Sequence, residues 1–127
     1  MKKRVYLIDL DGTTCSDIKN EESHLYATAK VEEGAVEVIN ELYDNGNVIV
    51  FFTARESKDR EVTEKWLNDH GFKYHGMMMD KPRIMDKCEY VWIDNVPTRA
   101  ITYKGTWSSI VEKDIDCEGI STFLTFE

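Results

Sequence analysis

The stretch VYLIDLDGTTC (residues 5–15) joins an apolar run to two carboxylates, Asp9 and Asp11. Continuous apolar residues from Val5 to Ile8 are typical of a strand covered on both faces, so we predict a strand in the middle of a sheet. Carboxylates this close repel each other, and an Asp inside an apolar run costs free energy unless it is paired or bound to a metal. The stretch therefore predicts a central strand with a functional site at its end.

The length and composition of the chain indicate one globular domain. Its 127 residues, 42% of them hydrophobic, suffice for one core and are too few for two, so we expect a single domain over residues 1–127. No apolar run approaches the roughly 18 to 20 residues that span a membrane. The basic segment MKKR (residues 1–4) precedes an apolar segment that Asp9 and Asp11 interrupt, which does not fit a signal peptide. We expect a cytoplasmic protein without membrane contact.

The net charge of the chain limits which binding partners are to be expected. A net charge of −8 opposes binding to a nucleic-acid backbone or to an anionic membrane. It does not exclude anionic small molecules, because a metal ion and a few cations can be concentrated at one site. Cys15, Cys88 and Cys117 form no CxxC motif and are odd in number, so we interpret them as free thiols in a reducing compartment.

The apolar pattern alternates between strands and helices. Continuous apolar runs predict further strands at residues 48–52 and 90–93, and we expect one more strand within residues 72–79. Helical spacing predicts a first helix of about three to four turns within residues 31–43. A second helix, which Ser57 is expected to cap, has an apolar face formed by Val62, Trp66 and Leu67.

Three other parts of the chain have weaker patterns. Residues 14–30 are polar without a strong period and predict a loop with at most one short turn of helix. An amphipathic piece at residues 107–111 and an apolar run at residues 120–126 end the chain.

The order of these elements predicts a mostly parallel α/β sheet with right-handed crossovers. Ligands bind such sheets at the carboxyl ends of the strands. The polar residues at or just beyond the predicted strand ends are Asp9, Asp11, Thr53, Arg55, Lys81, Asp94 and Asn95. We take this set as the candidate site.

The residue types in this set suit phosphoryl transfer. Asp9 and Asp94 offer the oxygen ligands that Mg²⁺ prefers. A carboxylate beside Mg²⁺ can attack phosphorus to form an aspartyl-phosphate, which divides a difficult hydrolysis into two easier steps. A chain turning at Gly12 lets Asp11 reach the leaving group, so the two acids can divide the roles of nucleophile and acid/base.

Cationic and hydroxyl groups in the set can stabilise the phosphoryl oxygens. Thr53 offers a hydroxyl and a backbone N–H, and Lys81 offers a positive charge. Arg55 is open to two interpretations, either binding a substrate anion or forming a surface salt bridge. Lys58, Lys73 and Lys87 are alternatives to Lys81.

The motifs resemble those of the haloacid dehalogenase-like (HAD-like) phosphohydrolases. The first motif of that family is read in VYLIDLDGT, the second in VIVFFTAR, the third as the lysine of MMMDKPR and the fourth in YVWIDN. The order and spacing of these four motifs agree with the pattern of the family over residues 4–99. The resemblance implies a three-layer Rossmann-like fold with a mostly parallel central sheet.

The resemblance also implies a role for each matching residue. Asp9 would be the nucleophile, and Asp11 the acid/base whose carbonyl also binds Mg²⁺. Thr53 would bind the phosphoryl group, Lys81 would neutralise charge, and Asp94 would hold the metal. The fourth motif often has two acids, and here Asn95 replaces the second, which adds no charge to a metal site.

The intervals between the motifs are short, which implies a member of the family without a cap domain. Without a cap, an oligomer partner or the substrate itself would cover the site. Otherwise catalysis would be modest in rate and broad in substrate range. We expect a magnesium-dependent phosphatase that hydrolyses a small phosphorylated metabolite, a sugar phosphate or nucleotide rather than a polynucleotide, through an aspartyl-phosphate.

The alternative function is a catalytically inactive or signalling module that binds Mg²⁺ and phosphate. Receiver domains combine similar groups on a parallel sheet, but their phosphorylated Asp follows the third strand. Here the Asp-x-Asp-Gly-Thr motif follows the first strand, which favours the hydrolase.

Overall fold

The computed structural model of the chain describes residues 3–110, and residues 1–2 and 111–127 lie outside that description. The chain divides into two compact units, Met1–Pro82 and Arg83–Glu127. Within the described residues, no helix has both the length and the apolar character needed to pass through a bilayer.

The first unit is built on a three-stranded parallel sheet. Its strands β1 (Val5–Ile8), β2 (Val48–Phe52) and β3 (Gly76–Met78) lie in the order β1-β2-β3. Val5 pairs with Val48 across the first ladder, and Val50 pairs with Gly76 across the second. β1 and β2 coincide with the apolar runs that predict them, and β3 lies within residues 72–79, where a strand is expected. With its helices, this sheet forms the expected α/β, Rossmann-like fold.

The prediction that β1 is a central strand is wrong for the described part of the chain, because β1 lies at the sheet edge. Its Val5 and Leu7 side chains are 64% and 41% exposed. The strand predicted at residues 90–93 is also absent, and Ile93 is 92% exposed. An apolar run indicates that a segment suits a sheet, but the run does not encode the partner strand that completes the hydrogen bonds.

The helix α1 (Ala35–Asp44) joins β1 to β2 and agrees with the helical spacing of its apolar residues. It ends at Asn45 and Gly46, where φ reaches 93° at the glycine. That left-handed conformation is common at the end of a helix and favours glycine, which has no Cβ. The short return to β2 therefore follows directly from the Asn-Gly pair.

The helix α2 (Arg60–Asp69) joins β2 to β3 and follows a 3₁₀ turn at Ser57–Asp59. The prediction that Ser57 caps this helix through its side chain is wrong. Its hydroxyl instead donates to the carboxylate of Asp80, just after β3. The Ser57 N–H also donates to this carboxylate, at 3.2 Å, so Ser57 joins the two loops.

The core of the first unit lies where the helices meet the sheet. Ile39 of α1, Ile49 and Phe51 of β2, and Leu67 of α2 are fully buried. The ring of Phe51 contacts Phe72 edge-on, with ring centres 5.9 Å apart. Burial of each such side chain contributes about 1.5–3 kcal/mol, which holds the carboxyl end of β2 in a fixed place.

The segment between β1 and α1 is more ordered than predicted, because residues Asn20–Thr28 form 3₁₀ helix with a kink at Glu22. Side-chain hydrogen bonds hold it in place. Asn20 donates to the carbonyl of Ala54 at 2.9 Å, and the indole N–H of Trp66 donates to the carbonyl of Ala29 at 2.9 Å. These contacts with residues distant in sequence help to order the polar segment, so its own periodicity does not predict it.

The described part of the second unit, residues 83–110, contains no strand and becomes helical at residues 107–110. The ring of Trp107 is buried and lies 5.7 Å from the ring of Tyr103. Cys15 and Cys88 are free thiols, as predicted. Val111, Cys117 and the apolar run at 120–126 lie outside the described residues.

Candidate active site

The loop that follows β1 turns tightly around one carbonyl. The oxygen of Leu10 accepts hydrogen bonds from the N–H groups of Thr13 at 3.0 Å, Thr14 at 2.8 Å and Cys15 at 3.1 Å. Gly12 has a φ of 85°, so the chain turns at the predicted residue. The turn gives Asp9 and Asp11 different surroundings, although they are separated by one residue.

Hydroxyl groups of the same loop hold Asp9. Thr13 donates its hydroxyl hydrogen to Oδ2 of Asp9 at 3.3 Å, and Thr14 donates to the Asp9 carbonyl at 2.7 Å. The Nζ of Lys81 lies 3.9 Å from Oδ1 of Asp9. Burial raises the pKa of Asp9, against the opposing effects of Lys81, the Leu10 N–H and Thr13, and the charge of Asp11 raises it further. Asp9 is therefore a partly desolvated carboxylate with an ammonium group near it.

Lys81 reaches Asp9 because two backbone hydrogen bonds join its loop to the residues that follow β2. The Lys81 N–H donates to the carbonyl of Thr53 at 2.9 Å, and the Asp80 N–H donates to the carbonyl of Arg55 at 2.8 Å. Asp80 has a φ of 62°, and its carboxylate accepts the hydroxyl of Ser57. The structure thus places Lys81 in the candidate site.

The other lysines considered for this role have different surroundings. Lys58 lies 3.7 Å from Glu56, and Lys73 lies 2.8 Å from Asp44. Lys87 is exposed and belongs to the second unit. Among these described lysines, Lys81 is the one paired with Asp9.

Thr53 is fully buried at the end of β2. Its hydroxyl oxygen accepts the Arg55 N–H at 3.0 Å, and its own N–H donates to the carbonyl of Met78 at 2.9 Å. Its predicted role in binding a phosphoryl group stays a prediction.

Arg55 pairs with Asp11 in a bidentate ion pair. Nε donates to Oδ2 of Asp11 at 2.9 Å, and Nη2 donates to Oδ1 at 2.8 Å. The interpretation of Arg55 as a salt bridge is confirmed, but the expectation that it lies at the surface is wrong, because its side chain is fully buried. Burial opposes the charge of Arg55, but the hydrogen bond and the charge of Asp11 outweigh it, so the pKa of Arg55 is raised. The expected contact between Arg55 and a substrate anion stays a prediction.

Three residues that the sequence motifs do not identify complete the surroundings of this ion pair. Cys15 places its thiol 3.6 Å from Oδ1 of Asp11, and burial with the charge of Asp11 raises the pKa of that thiol. The guanidinium of Arg55 lies 3.8 Å from the ring centre of Tyr26. Thr63 accepts from Nη1 at 3.1 Å. Cys15 and Tyr26 belong to the segment predicted as a loop, and Thr63 lies beside the apolar stripe of α2, so no sequence signal distinguishes them.

Asp94 belongs to the second unit, in a turn where its carboxylate accepts the Val96 N–H at 3.2 Å and the Trp92 indole N–H at 3.3 Å. The role of Asp94 as a metal ligand stays a prediction. Asn95 follows it in the same turn.

The chemistry of Asp9 fits a hard divalent cation. Its carboxylate is partly desolvated, and the ammonium of Lys81 at 3.9 Å lies beyond hydrogen-bond distance, so an added positive charge would stabilise it. Within residues 3–110 no cluster of three or more His, Cys, Asp and Glu side chains is assembled. Such an ion would take its remaining ligands from backbone, water and substrate oxygens, which is common for Mg²⁺.

Comparison with known proteins relates the fold to one family. The family model of the LNS2 domain of PITM 1-3 matches residues 6–94, more than half of the chain. A search of curated proteins found no match.

Solved structures share the fold at low sequence identity. A crystal structure of a target from Vibrio cholerae has a TM-score of 0.56 and 22% identity, over 71% of this chain and 79% of that one. A structure of the Pnkp1/Rnl/Hen1 complex includes a chain with a TM-score of 0.56 and 19% identity, over 93% of this chain and 34% of that one. A chain in a structure of the Pnkp1/Rnl/Hen1 RNA repair complex has a TM-score of 0.53 and 17% identity, over 94% of this chain and 32% of that one.

Proposed function

This chain belongs to the LNS2 domain family, which has the HAD-like phosphatase fold, and from that premise we propose that it hydrolyses phosphomonoesters through an aspartyl-phosphate. The observation that carries the proposal is the contrast between Asp9 and Asp11. Asp9 lies beside an ammonium group, whereas Asp11 is held by a guanidinium. Two neighbouring acids with different surroundings are suited to two different roles.

In the proposed first step, a carboxylate oxygen of Asp9 attacks phosphorus and the bond to the leaving oxygen breaks. Asp11 donates the proton that the leaving oxygen needs, and the products are an aspartyl-phosphate and an alcohol. Thr13 orients Asp9 through its hydrogen bond to Oδ2. Lys81 stabilises the charge that develops on the phosphoryl oxygens, since its ammonium lies next to the attacking carboxylate.

In the second step, Asp11 as a carboxylate takes a proton from a water molecule. The water oxygen attacks phosphorus, the bond between phosphorus and Asp9 breaks, and inorganic phosphate leaves. Asp9 is again a carboxylate and Asp11 is again protonated, so the cycle closes with no further reactant.

We propose that Asp9 and the backbone carbonyl of Asp11 hold Mg²⁺, with Asp94 as a further ligand on the strength of its motif alone. When bound, the ion neutralises negative charge on the phosphoryl group and orients it for in-line attack.

The substrate we propose is a small phosphorylated metabolite, either a sugar phosphate or a nucleotide. A net charge of −8 weakens the attraction to a polyanionic backbone, while a single phosphoryl group can be neutralised by Lys81 and a metal. The likeness to chains of an RNA repair complex at 17–19% identity concerns the fold, so it does not change this preference.

The experiment that tests this function is turnover of p-nitrophenyl phosphate and of a panel of phosphorylated metabolites with Mg²⁺. We expect phosphate release by the wild type and a loss of more than about a thousandfold for Asp9→Asn, because the amide is not a nucleophile. Asp17→Asn, an exposed position in the same loop, is the matched control and should retain activity.

Two results would contradict the hydrolase. Absence of turnover across the panel, combined with no effect of Mg²⁺ on thermal stability, would indicate an inactive module. A covalent phosphoryl adduct that persists for minutes would indicate a signalling role instead.

A further inference from the structure

The guanidinium of Arg55 is held from three separate parts of the first unit. Its Nε and Nη2 face the carboxylate of Asp11 in the loop after β1, and its Nη1 faces the hydroxyl of Thr63 on α2. One face of the guanidinium lies against the ring of Tyr26 from the 3₁₀ segment. Arg55 itself is 1% exposed at the end of β2. Few rotamers of this long side chain are compatible with so many contacts.

The partners of Arg55 are themselves fixed. The Thr63 hydroxyl donates to the carbonyl of Asp59 at 2.8 Å, and the Tyr26 hydroxyl donates to Asn20 at 3.3 Å. Asn20 in turn donates to the carbonyl of Ala54, next to Arg55 in sequence. These hydrogen bonds, together with the contact between the guanidinium and the Tyr26 ring, restrict the position of the guanidinium, as the supporting residues of catalytic groups commonly do.

This arrangement differs from that of an arginine that binds substrate. Of the five N–H donors of Arg55, two bind the two oxygens of Asp11, one binds Thr63 and one lies 3.7 Å from the sulfur of Cys15. One face of the guanidinium is covered by Tyr26, and the side chain is fully buried. A planar, bidentate pair fixes both the position and the rotation of a carboxylate, which a single ammonium contact does not.

We propose that Arg55 is a positioning residue, a role that replaces the contact with a substrate anion expected from the sequence. It binds no substrate and holds the carboxylate of Asp11 in the orientation from which Asp11 exchanges protons with the leaving group and with water. The inference rests on the proposed phosphatase function and adds a residue to it. A displacement of a reacting group by about 1 Å can lower the rate about a hundredfold, so the ion pair of Arg55 with Asp11 should affect turnover directly.

The first test is Arg55→Lys, which keeps the charge and loses the bidentate geometry. We expect kcat for an alkyl phosphate to fall by about tenfold to a hundredfold, with KM changed by less than about threefold. For p-nitrophenyl phosphate, whose leaving group is stable as an anion, the fall should be clearly smaller. A merely structural role would not change the ratio between the two substrates.

The matched control is Arg60→Lys, the same substitution at a half-exposed arginine that pairs with Glu64. It should leave both kcat values and their ratio unchanged. Circular dichroism and melting temperature of each variant verify that it is folded.

Thr63→Val provides a second variant in case Arg55→Lys does not fold. It keeps nearly the same volume and removes the acceptor for Nη1 of Arg55, so the guanidinium has more freedom. We expect a smaller loss of kcat, in the same direction and with the same dependence on the leaving group.

A double-mutant cycle with Asp11→Asn decides whether Arg55 acts through Asp11. If it does, Arg55→Lys in the Asp11→Asn background should lower the residual turnover of p-nitrophenyl phosphate by less than about twofold. Additive losses would overturn the proposal.

The results separate the failure of this inference from the failure of the proposed function. A rise in KM of tenfold or more in Arg55→Lys, with kcat unchanged, would assign Arg55 to substrate binding and reject the positioning role. An inactive wild type across the whole panel would reject the phosphatase and, with it, the positioning role.

Discussion

Single residues carry the chemical contrast of this site, and Asp9 shows it most clearly. Burial raises the pKa of Asp9, so its charged form is less favourable in the folded chain than in the unfolded chain. Below the ordinary pKa of 3.8, Asp9 is protonated in both the folded and the unfolded chain, so its buried charge does not lower stability there. As the pH rises through that value toward the raised pKa of the folded state, stability is lost.

The first prediction at this scale concerns the stability of Asp9→Asn. We expect its free energy of unfolding at pH 7 to exceed that of the wild type, and the difference to shrink below pH 3.8, because the substitution removes a desolvated charge. Urea denaturation at several pH values measures this. Asp17→Asn, at an exposed position, should show no such trend. A less stable Asp9→Asn at neutral pH would contradict the assigned effect of burial.

At the scale of elements, the structure depends on the turn after β1. Gly12 adopts a φ of 85°, and a Cβ added at this position would make ordinary van der Waals contacts, with the nearest atoms of Asp17 at 3.6 Å. The cost of a side chain there is therefore conformational and not steric. The turn positions both acids, so its geometry and the activity should change together.

Gly12→Ala should lower the free energy of unfolding by about 1–2 kcal/mol, since non-glycine residues are disfavoured in the left-handed region. The matched control is Gly76→Ala in β3, where φ is not positive and no heavy atom lies within 4 Å of an added Cβ. That control should be neutral or slightly stabilising. Equal effects of the two substitutions in chemical denaturation would contradict the role of φ at Gly12.

The elements also show what a sequence can and cannot predict. β1 and β2 follow from continuous apolar runs, and both helices follow from the helical spacing of their apolar residues, because burial acts locally. The end of α1 follows from its Asn-Gly pair. The segment 20–28 and the strand predicted at 90–93 differ from expectation, because their conformation depends on partners distant in sequence.

The same reasoning applies to the site. Asp9, Lys81 and Thr53 are brought together because parallel strands end at one edge, which the strand order predicts. The bidentate pair of Arg55 with Asp11 is not predictable, because direction and burial of a long side chain depend on the surrounding packing. The contacts of Tyr26 and Cys15 with this pair are not predictable for the same reason.

For the whole molecule, binding of a divalent cation to the folded chain is measurable as a change in stability. Ligands that bind only the folded state raise stability with concentration. We expect millimolar MgCl₂ to raise the melting temperature of the wild type, and EDTA to abolish both this shift and turnover. Asp9→Asn should show little shift. An equal shift in wild type and Asp9→Asn would contradict Asp9 as a ligand.

The buried pair of Arg55 and Asp11 also constrains which substitutions the chain can accept over evolutionary time. The two side chains are 0% and 14% exposed, so replacing Asp11 alone by an apolar residue would leave a buried cation, at a cost of about 3–5 kcal/mol. That is a large part of the stability of a typical domain. A descendant that loses Asp11 in this way must therefore lose or re-pair Arg55 as well, so that the two positions change together or not at all.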